Sequence, residues 1–263
     1  MSKSMIIKIA AGIILAAIAV PMVLFGGIWM EILKCTFTVL ASYEIAMVST
    51  GKPNWPQAIL LTVIIEVIAH TPAALFPACA AVLIVILFVL HFIDETITAE
   101  NVVYTFIMTM IVALAWQCAI RYYSMGYPGY GVLYVFASCF ICDTAAYFFG
   151  VFTGKHKMIP RISPNKTWEG AAGGYACAAA VTLIYGLTVC KFLPASLVIA
   201  GALILPAIAE VGDLAFSTIK RHFGIKDFGS LIPGHGGVLD RIDSLVFCLM
   251  FFNALMIMWG IGV

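Results

Sequence analysis

The sequence predicts an all-α protein that crosses a membrane about nine times. Hydrophobic residues make up 63% of its 263 residues and charged residues only 10%, whereas about a quarter of a soluble globular protein is charged. The mean hydropathy of +1.08 agrees with this class. Runs such as AAVLIVILFVL at 80–90 cannot all fit in one soluble core. We therefore expect a polytopic integral membrane protein and, from the formal net charge of +1, no nucleic-acid partner.

Apolar stretches of about 20 residues each define the predicted spans. The first stretch, 5–25, follows Lys3 and Lys8 and resembles a signal peptide, but no clear cleavage site ends it. Because many more spans follow, it is predicted to be the first span. Pro72 and Pro77 interrupt the third and fourth spans. The nine predicted spans are 5–25, 28–48, 57–71, 73–93, 102–120, 131–150, 170–190, 195–216 and 239–260.

Basic residues predict the orientation of these spans. They concentrate in two loops, 150–169 and 217–238, which the positive-inside rule places in the cytoplasm. Counting back through the spans puts the N-terminus in the cytoplasm as well. Of the 14 basic residues, only Arg121 and Lys191 then fall outside, and Lys34 lies within span two.

The two halves of the sequence differ in polarity. Residues 1–130 are nearly pure membrane helix and are predicted to form a lipid-facing scaffold, whereas 131–263 carry the polar loops and are predicted to hold the chemistry. Span seven opens with small residues at 170–180, which let helices approach closely. Before it, SPNKTWEG is interpreted as a helix start, with Ser163 as the N-cap and Pro164 in the first turn.

Acidic residues gather at the predicted cytoplasmic ends of spans six, eight and nine. A charge in hydrocarbon is costly, so such residues usually face a bundle interior and have partners. Helical spacing places Glu210, Asp213 and Lys220 on one face of span eight. Carboxylates suit Mg²⁺ bound together with phosphate and water, although a carboxylate at a helix end in interfacial water is the simpler alternative. The acidic residues are Asp143, Glu210, Asp213, Asp240 and Asp243.

Basic residues and glycines accompany these carboxylates. Lys and Arg side chains bind phosphate oxygens, but a mixed cluster is also consistent with a self-neutralising salt-bridge network. In PGHGG at 233–237 the glycines let backbone N–H groups approach an anion. A helix predicted to begin near Val238 adds its positive dipole end. The basic residues are Lys166, Lys220, Arg221, Lys226 and Arg241.

Charged residues of the first three spans are assigned no chemistry. They either line a cavity or pair with one another, and they are Glu31, Lys34, Glu44 and Glu66.

The segment 217–243 reads S-T-I-K-R-x4-K-D-x-G-x2-I-P-x-H-G-G-V-L-D-R-I-D. This string resembles, without departure, the signature of the phosphatidate cytidylyltransferases, also called CDP-diacylglycerol synthases. Upstream, D-x3-Y-F-x-G at 143–150, SPNKTWEG at 163–170 and GDL at 212–214 also resemble the family. The resemblance covers about the last half of the chain, and the first half matches only as generic spans.

The resemblance implies a transfer that joins CTP and phosphatidic acid to give CDP-diacylglycerol and pyrophosphate. It implies a requirement for Mg²⁺, with K⁺ implicated in some members. Asp213 and Asp240 would hold the metals with Asp143 and Asp243 close by, and Lys220 and Arg241 would join Asp213 and Asp240 in catalysis. The residues implied to bind the substrates are Asp143, Asn165, Lys166, Glu169, Ser217, Arg221, Lys226, Asp227, His235, Gly236 and Gly237.

One substrate is soluble and the other stays in the bilayer, so the site is expected at the cytoplasmic face of a bacterial inner membrane, open to membrane lipids. A homodimer is one option for the assembly. Two alternatives are a CTP-dependent polyprenol or phytol kinase and an ion-coupled secondary transporter. The complete H-G-G-x2-D-R-x-D string disfavours the kinase. Transporter sites usually lie near the bilayer midplane in matching halves, whereas these acidic residues gather at one end of the spans in one half of the chain.

Overall fold

The structure, a computed structural model, describes residues 3–230 and 236–262. The side chains of residues 3–11 and 13 lie outside this description. Most of the described chain is helical, which confirms the predicted all-α class, and each predicted span overlaps one α-helix. The helices are α1 (Lys3–Phe25), α2 (Gly27–Thr50), α3 (Trp55–His70), α4 (Phe76–Ile93), α5 (Ala99–Ser124), α6 (Gly129–Thr153), α7 (Trp168–Thr188), α8 (Ala195–His222) and α9 (Leu239–Met258), with a 3-10 turn at Ala73–Leu75.

Helix length and composition support a polytopic membrane protein. Within the described residues, seven helices are long and apolar enough to cross a membrane, and two shorter apolar helices are Ile14–Phe25 and Trp55–His70. The total of nine spans and the cytoplasmic N-terminus stay predictions. The seven are Gly27–Thr50, Ala73–Ile93, Ala99–Ser124, Gly129–Thr153, Trp168–Thr188, Ala195–His222 and Leu239–Met258.

The chain divides into two compact units that are each discontinuous in sequence. The N-terminal unit comprises Met1–Ala19, Gly27–Arg121 and Asp227–Asp240. The C-terminal unit comprises Val20–Gly26, Tyr122–Lys226 and Arg241–Val263. The glycine-rich segment before α9 therefore belongs to the same unit as α2 to α4, although more than a hundred residues separate them in sequence.

In the N-terminal unit, α2 packs along α3 around a buried ammonium group. Lys34 is 1% exposed, and its Nζ lies 2.8 Å from Glu31 Oε2 and 2.7 Å from Glu66 Oε2. The His70 ring nitrogen Nε2 lies 3.2 Å from the same ammonium. Since an unpaired charge is costly in such a place, this pairing explains why α2 and α3 tolerate these residues. Three of the four charged residues of the first spans thus pair with one another.

In the C-terminal unit, α6 and α7 form the most extensive helix contact, and α8 packs against both. A Cβ atom added to Gly174 would lie 2.7 Å from both the Cys142 carbonyl oxygen and Ala146 Cβ. Such a distance is shorter than van der Waals contact, so only glycine fits. The small residues at the start of α7 therefore allow close approach, as their pattern predicts.

The segment SPNKTWEG corrects one prediction. Ser163 is not a helix cap, because Ser163–Thr167 forms strand β2, antiparallel to β1 (Lys157–Ile159). The helix begins at Trp168, and Thr167 is its N-cap, since its hydroxyl accepts a hydrogen bond from Gly170 N at 3.1 Å. Ser163 and Thr167 are both residue types that cap helices. Because Ser163–Thr167 pairs with β1, only Thr167 is left at the start of the helix.

We expect Gly174→Val to destabilise the protein, because its methyl groups would force α6 and α7 apart. Overpacking of this kind costs about 2 kcal/mol. Thermal unfolding in detergent measures the effect, and Ala176→Val, on the exposed side of the same helix, is the matched control. Equal melting temperatures for both variants would contradict the close contact.

Candidate functional site

Lys166 is the central cation of a charged cluster in the C-terminal unit. Its Nζ lies 2.6 Å from Glu210 Oε2 and 2.6 Å from Asp213 Oδ2. Strand β2 delivers the lysine, and both carboxylates come from α8, where a spacing of three residues puts them on one face. The ammonium group thus pairs with two acidic groups at once and fixes their positions.

The pKa of Lys166 reflects these contacts. Burial alone would lower the pKa of this lysine, but attraction by Asp213 and Glu210 outweighs burial and raises it above the ordinary value of 10.5. Lys166 therefore stays charged at every physiological pH.

Two further carboxylates lie beside this cluster. Asp143, on α6, and Asp243, on α9, repel each other, and both repel Asp213. Asp243 is 8% exposed, whereas Asp143 keeps an exposed surface despite its acidic neighbours. Lys220 and Arg241 attract Asp243. The structure thus brings together most of the sequence-predicted metal and phosphate residues of this unit.

The predicted polar face of α8 is buried, as its spacing indicates. Glu210, Ser217 and Lys220 are 8%, 7% and 7% exposed. The helix itself runs to His222, six residues beyond the predicted end of span eight. Ser217, Lys220 and Arg221 are consequently held by helical backbone and do not lie in a loop.

The acidic residues can be tested for their fit to Mg²⁺. In the part of the chain that the structure describes, no group of three or more His, Cys, Asp or Glu side chains is arranged as a complete metal site. Mg²⁺ commonly binds with fewer protein ligands, since one or two carboxylates hold it together with substrate phosphates and water. Asp143, Asp213 and Asp243 offer such oxygens, and a divalent cation would relieve their mutual repulsion. These residues fit Mg²⁺ that binds together with a phosphate substrate.

Asp240 has a defined place in the N-terminal unit. It lies in the first turn of α9 and is 6% exposed. Its Oδ2 accepts hydrogen bonds from Phe228 N and Gly237 N, both at 2.9 Å. One oxygen of this predicted metal ligand therefore ties together two parts of the glycine-rich segment. Gly236 has a φ of +83°, a conformation that favours glycine, and His235 lies outside the described residues.

The backbone amides at the N-terminus of α9 bond to side chains of the protein itself. Glu44 of α2 accepts hydrogen bonds from Val238 N and Leu239 N, both at 2.8 Å. With Gly237 N bonded to Asp240, these three amides bind carboxylates of the chain itself. These three amides are therefore already bonded within the chain, and substrate binding by the glycine-rich segment stays a prediction. A glycine-rich loop before a helix attracts an anion, but that anion is here a glutamate.

Several other predicted binding residues stabilise the loops. Arg221 donates from Nε to the Ile162 carbonyl at 3.1 Å and from Nη1 to the Ile225 carbonyl at 2.9 Å, so it joins the turn of the hairpin to the end of α8. Glu169 accepts from the backbone N–H groups of Lys155 and His156, each at 3.1 Å. Asn165, Lys226 and Asp227 are exposed.

Two contacting carboxylates were given no catalytic, binding or metal role from the sequence: Glu210, although the sequence grouped it with Asp213, and Glu44. Glu210 was recognisable, because it lies one helical turn before Asp213 and faces the same way. Glu44 had only one signal, namely that a carboxylate within an apolar span needs a partner. Its partners lie 194 and 195 residues away, so no local pattern identifies them.

Lys166→Met should lower the free energy of unfolding by about 3 kcal/mol, because it leaves two carboxylates unpaired. Because folding raises the pKa of Lys166, its ion pairs contribute their full stability at any pH below the ordinary lysine pKa. This contribution is lost only as the pH rises through the higher pKa of the folded state. The difference in melting temperature between wild type and variant should therefore stay constant from about pH 7 to pH 9.5. A difference that vanishes within this range would show that Lys166 is neutral there.

Comparison with known proteins finds relatives that share one name. Proteins named phosphatidate cytidylyltransferase from Staphylococcus haemolyticus (strain JCSC1435) and Staphylococcus aureus (strain COL) are each 46% identical to this chain over 126 residues. The protein of that name from Staphylococcus epidermidis (strain ATCC 12228 / FDA PCI 1200) is 44% identical over the same length. Each match covers 48% of this chain and 48% of the relative, so the chain spans about half the length of the relatives it matches.

A sequence profile described as "Cytidylyltransferase family" extends over nearly the whole chain, matching residues 6–259. The chain therefore belongs to the cytidylyltransferase family.

Proposed function

We propose that this protein transfers the cytidylyl group of CTP to phosphatidic acid, giving CDP-diacylglycerol and pyrophosphate for phospholipid synthesis. The observation that carries the proposal is the charged cluster of the C-terminal unit, where Lys166 bridges Glu210 and Asp213 beside further acidic and basic groups. Family membership and the names of the relatives support this reaction.

The chemistry needs little proton transfer. A phosphate oxygen of phosphatidic acid attacks the α-phosphorus of CTP and forms a new P–O bond. The bond from that phosphorus to the bridging oxygen of the β-phosphate breaks, and pyrophosphate leaves with the electron pair. Because the second pKa of a phosphate monoester is about 6, the attacking group is already mostly dianionic at neutral pH. No strong general base is required.

The main obstacle is repulsion between the two polyanions. Lys220 and Arg241, which lie within electrostatic reach of Asp243, are suited to bind phosphate oxygens of the substrates. Lys166 holds Asp213 and Glu210 in place, so that the carboxylates need not rearrange when the substrates arrive.

Asp213, with Asp143 or Asp243, would hold the metal, and Asp240 stays a ligand predicted from the resemblance. When bound, Mg²⁺ supplies positive charge that offsets the repulsion and stabilises the in-line transition state. A role for K⁺ likewise rests on the resemblance alone.

A lateral route for lipid fits the surface of α6. Beyond Asp143 this helix exposes apolar side chains, with Tyr147, Phe148 and Phe152 exposed to 66%, 52% and 79%. Phosphatidic acid would keep its acyl chains against such a surface while its phosphate reaches the charged cluster. We place this site at the cytoplasmic face of a bacterial inner membrane, in line with the predicted orientation.

The direct test uses purified protein in detergent micelles with labelled CTP, phosphatidic acid and Mg²⁺. We expect CDP-diacylglycerol and pyrophosphate in equal amounts. A lipid kinase would instead yield CDP and a phosphorylated lipid, and a transporter would leave CTP unchanged. Either of these outcomes would reject the proposed transfer.

Asp213→Asn should raise the Mg²⁺ concentration needed for half-maximal rate by at least about tenfold, because even residues that only support metal ligands change metal affinity by that much. Steady-state rates across a Mg²⁺ titration measure the effect. Asp94→Asn is the matched control, since Asp94 is exposed and its carboxylate accepts hydrogen bonds from Thr96 N and Oγ1. A normal Mg²⁺ titration for Asp213→Asn would remove this residue from the metal site.

A further inference from the structure

Glu44 is a fully buried carboxylate in a helix that the sequence assigns to the scaffold. Its side chain is 0% exposed, and α2 places it against the segment that precedes α9. Each of its oxygens accepts one backbone hydrogen bond: Oε1 accepts from Val238 and Oε2 from Leu239, both at 2.8 Å. A bidentate contact of this kind fixes both the position and the orientation of the start of α9.

The neighbouring glycines are shaped to this carboxylate. A Cβ atom on Gly237 would lie 2.5 Å from Glu44 Oε1, and one on Gly229 would lie 2.6 Å from the same oxygen. Neither glycine has a left-handed backbone, so conformational freedom does not explain them. The close approach of the Glu44 carboxylate explains both glycines. Two glycines of the signature segment are thus required by a residue far outside that segment.

Burial of the Glu44 carboxylate requires hydrogen-bond donors in defined positions. A carboxylate taken from water into an apolar bundle is costly unless hydrogen bonds and opposite charge compensate it. Two amides and the positive end of the α9 dipole offset part of that cost. Asp240 bonds to Phe228 N and Gly237 N of the same segment. The segment is therefore held by two carboxylates, one from α2 and one from α9.

We propose that Glu44 is a positioning residue for cytidylyl transfer, which fixes the N-terminus of α9 and thereby the place of Asp240. This inference rests on the proposed function and deepens it, because it gives α2 a part in the reaction. Glu44 acts through the backbone of Val238 and Leu239 and does not itself contact a substrate.

The test compares Glu44→Gln with wild type in the same detergent. Glutamine keeps the size of the side chain, but its amide group faces a backbone donor, so one of the two bonds is lost. We expect kcat/KM for CTP to fall by about tenfold to a hundredfold, as for other losses of positioning contacts. Hydrogen exchange should accelerate in peptides that contain the amides of Val238 and Leu239. Glu31→Gln, the same change on the same helix, should alter neither quantity.

Gly229→Ala is a second, independent variant, because its methyl group presses on the Glu44 carboxylate while the glutamate itself stays. The same kinetic loss and the same faster exchange are expected, and this variant decides the question if Glu44→Gln does not fold. Normal kcat and KM in the folded variant, with or without a lower melting temperature, would overturn the positioning role. If wild type forms no CDP-diacylglycerol, the proposed function fails first and the role of Glu44 in it fails too, whatever the exchange data show.

Discussion

A carboxylate among apolar helices must find a cation or a set of hydrogen-bond donors, and this requirement organises both units of the structure. Lys34 meets it for Glu31 and Glu66, and Lys166 meets it for Glu210 and Asp213. Glu44 meets it with backbone amides instead. Each solution joins elements distant in sequence, so the charged residues determine tertiary contacts that hydrophobic burial leaves unspecified.

The same requirement connects stability to the proposed chemistry. Asp143, Asp213 and Asp243 repel one another, and Lys166, Lys220 and Arg241 offset part of this repulsion. Carboxylates held close together among cations suit the proposed divalent cation that enters with a phosphate. The charged cluster would therefore serve both stability and the proposed reaction.

Prediction from sequence succeeded where one local rule dominates. Apolar length located the helices, and small residues located the contact of α6 with α7, because bundle packing leaves few alternatives. It failed where two local rules compete. Ser163 and Thr167 can each cap a helix, and only pairing with β1 excludes the first. The helical spacing in α8 correctly grouped Glu210 with Asp213, but no spacing could reveal the contacts of Glu44.

The glycine-rich segment shows why a motif alone is ambiguous. Glycines before a helix indicate that an anion approaches the backbone, but the pattern does not specify whether that anion is a substrate or a side chain. Here Glu44 and Asp240 bond to Gly237, Val238 and Leu239, so part of the signature serves to build the segment. Phosphate binding would then fall to side chains such as Lys220 and Arg241 rather than to these amides. A helix N-terminus that already binds a glutamate gives little attraction to a second anion, so the proposed function assigns the phosphates to positive side chains.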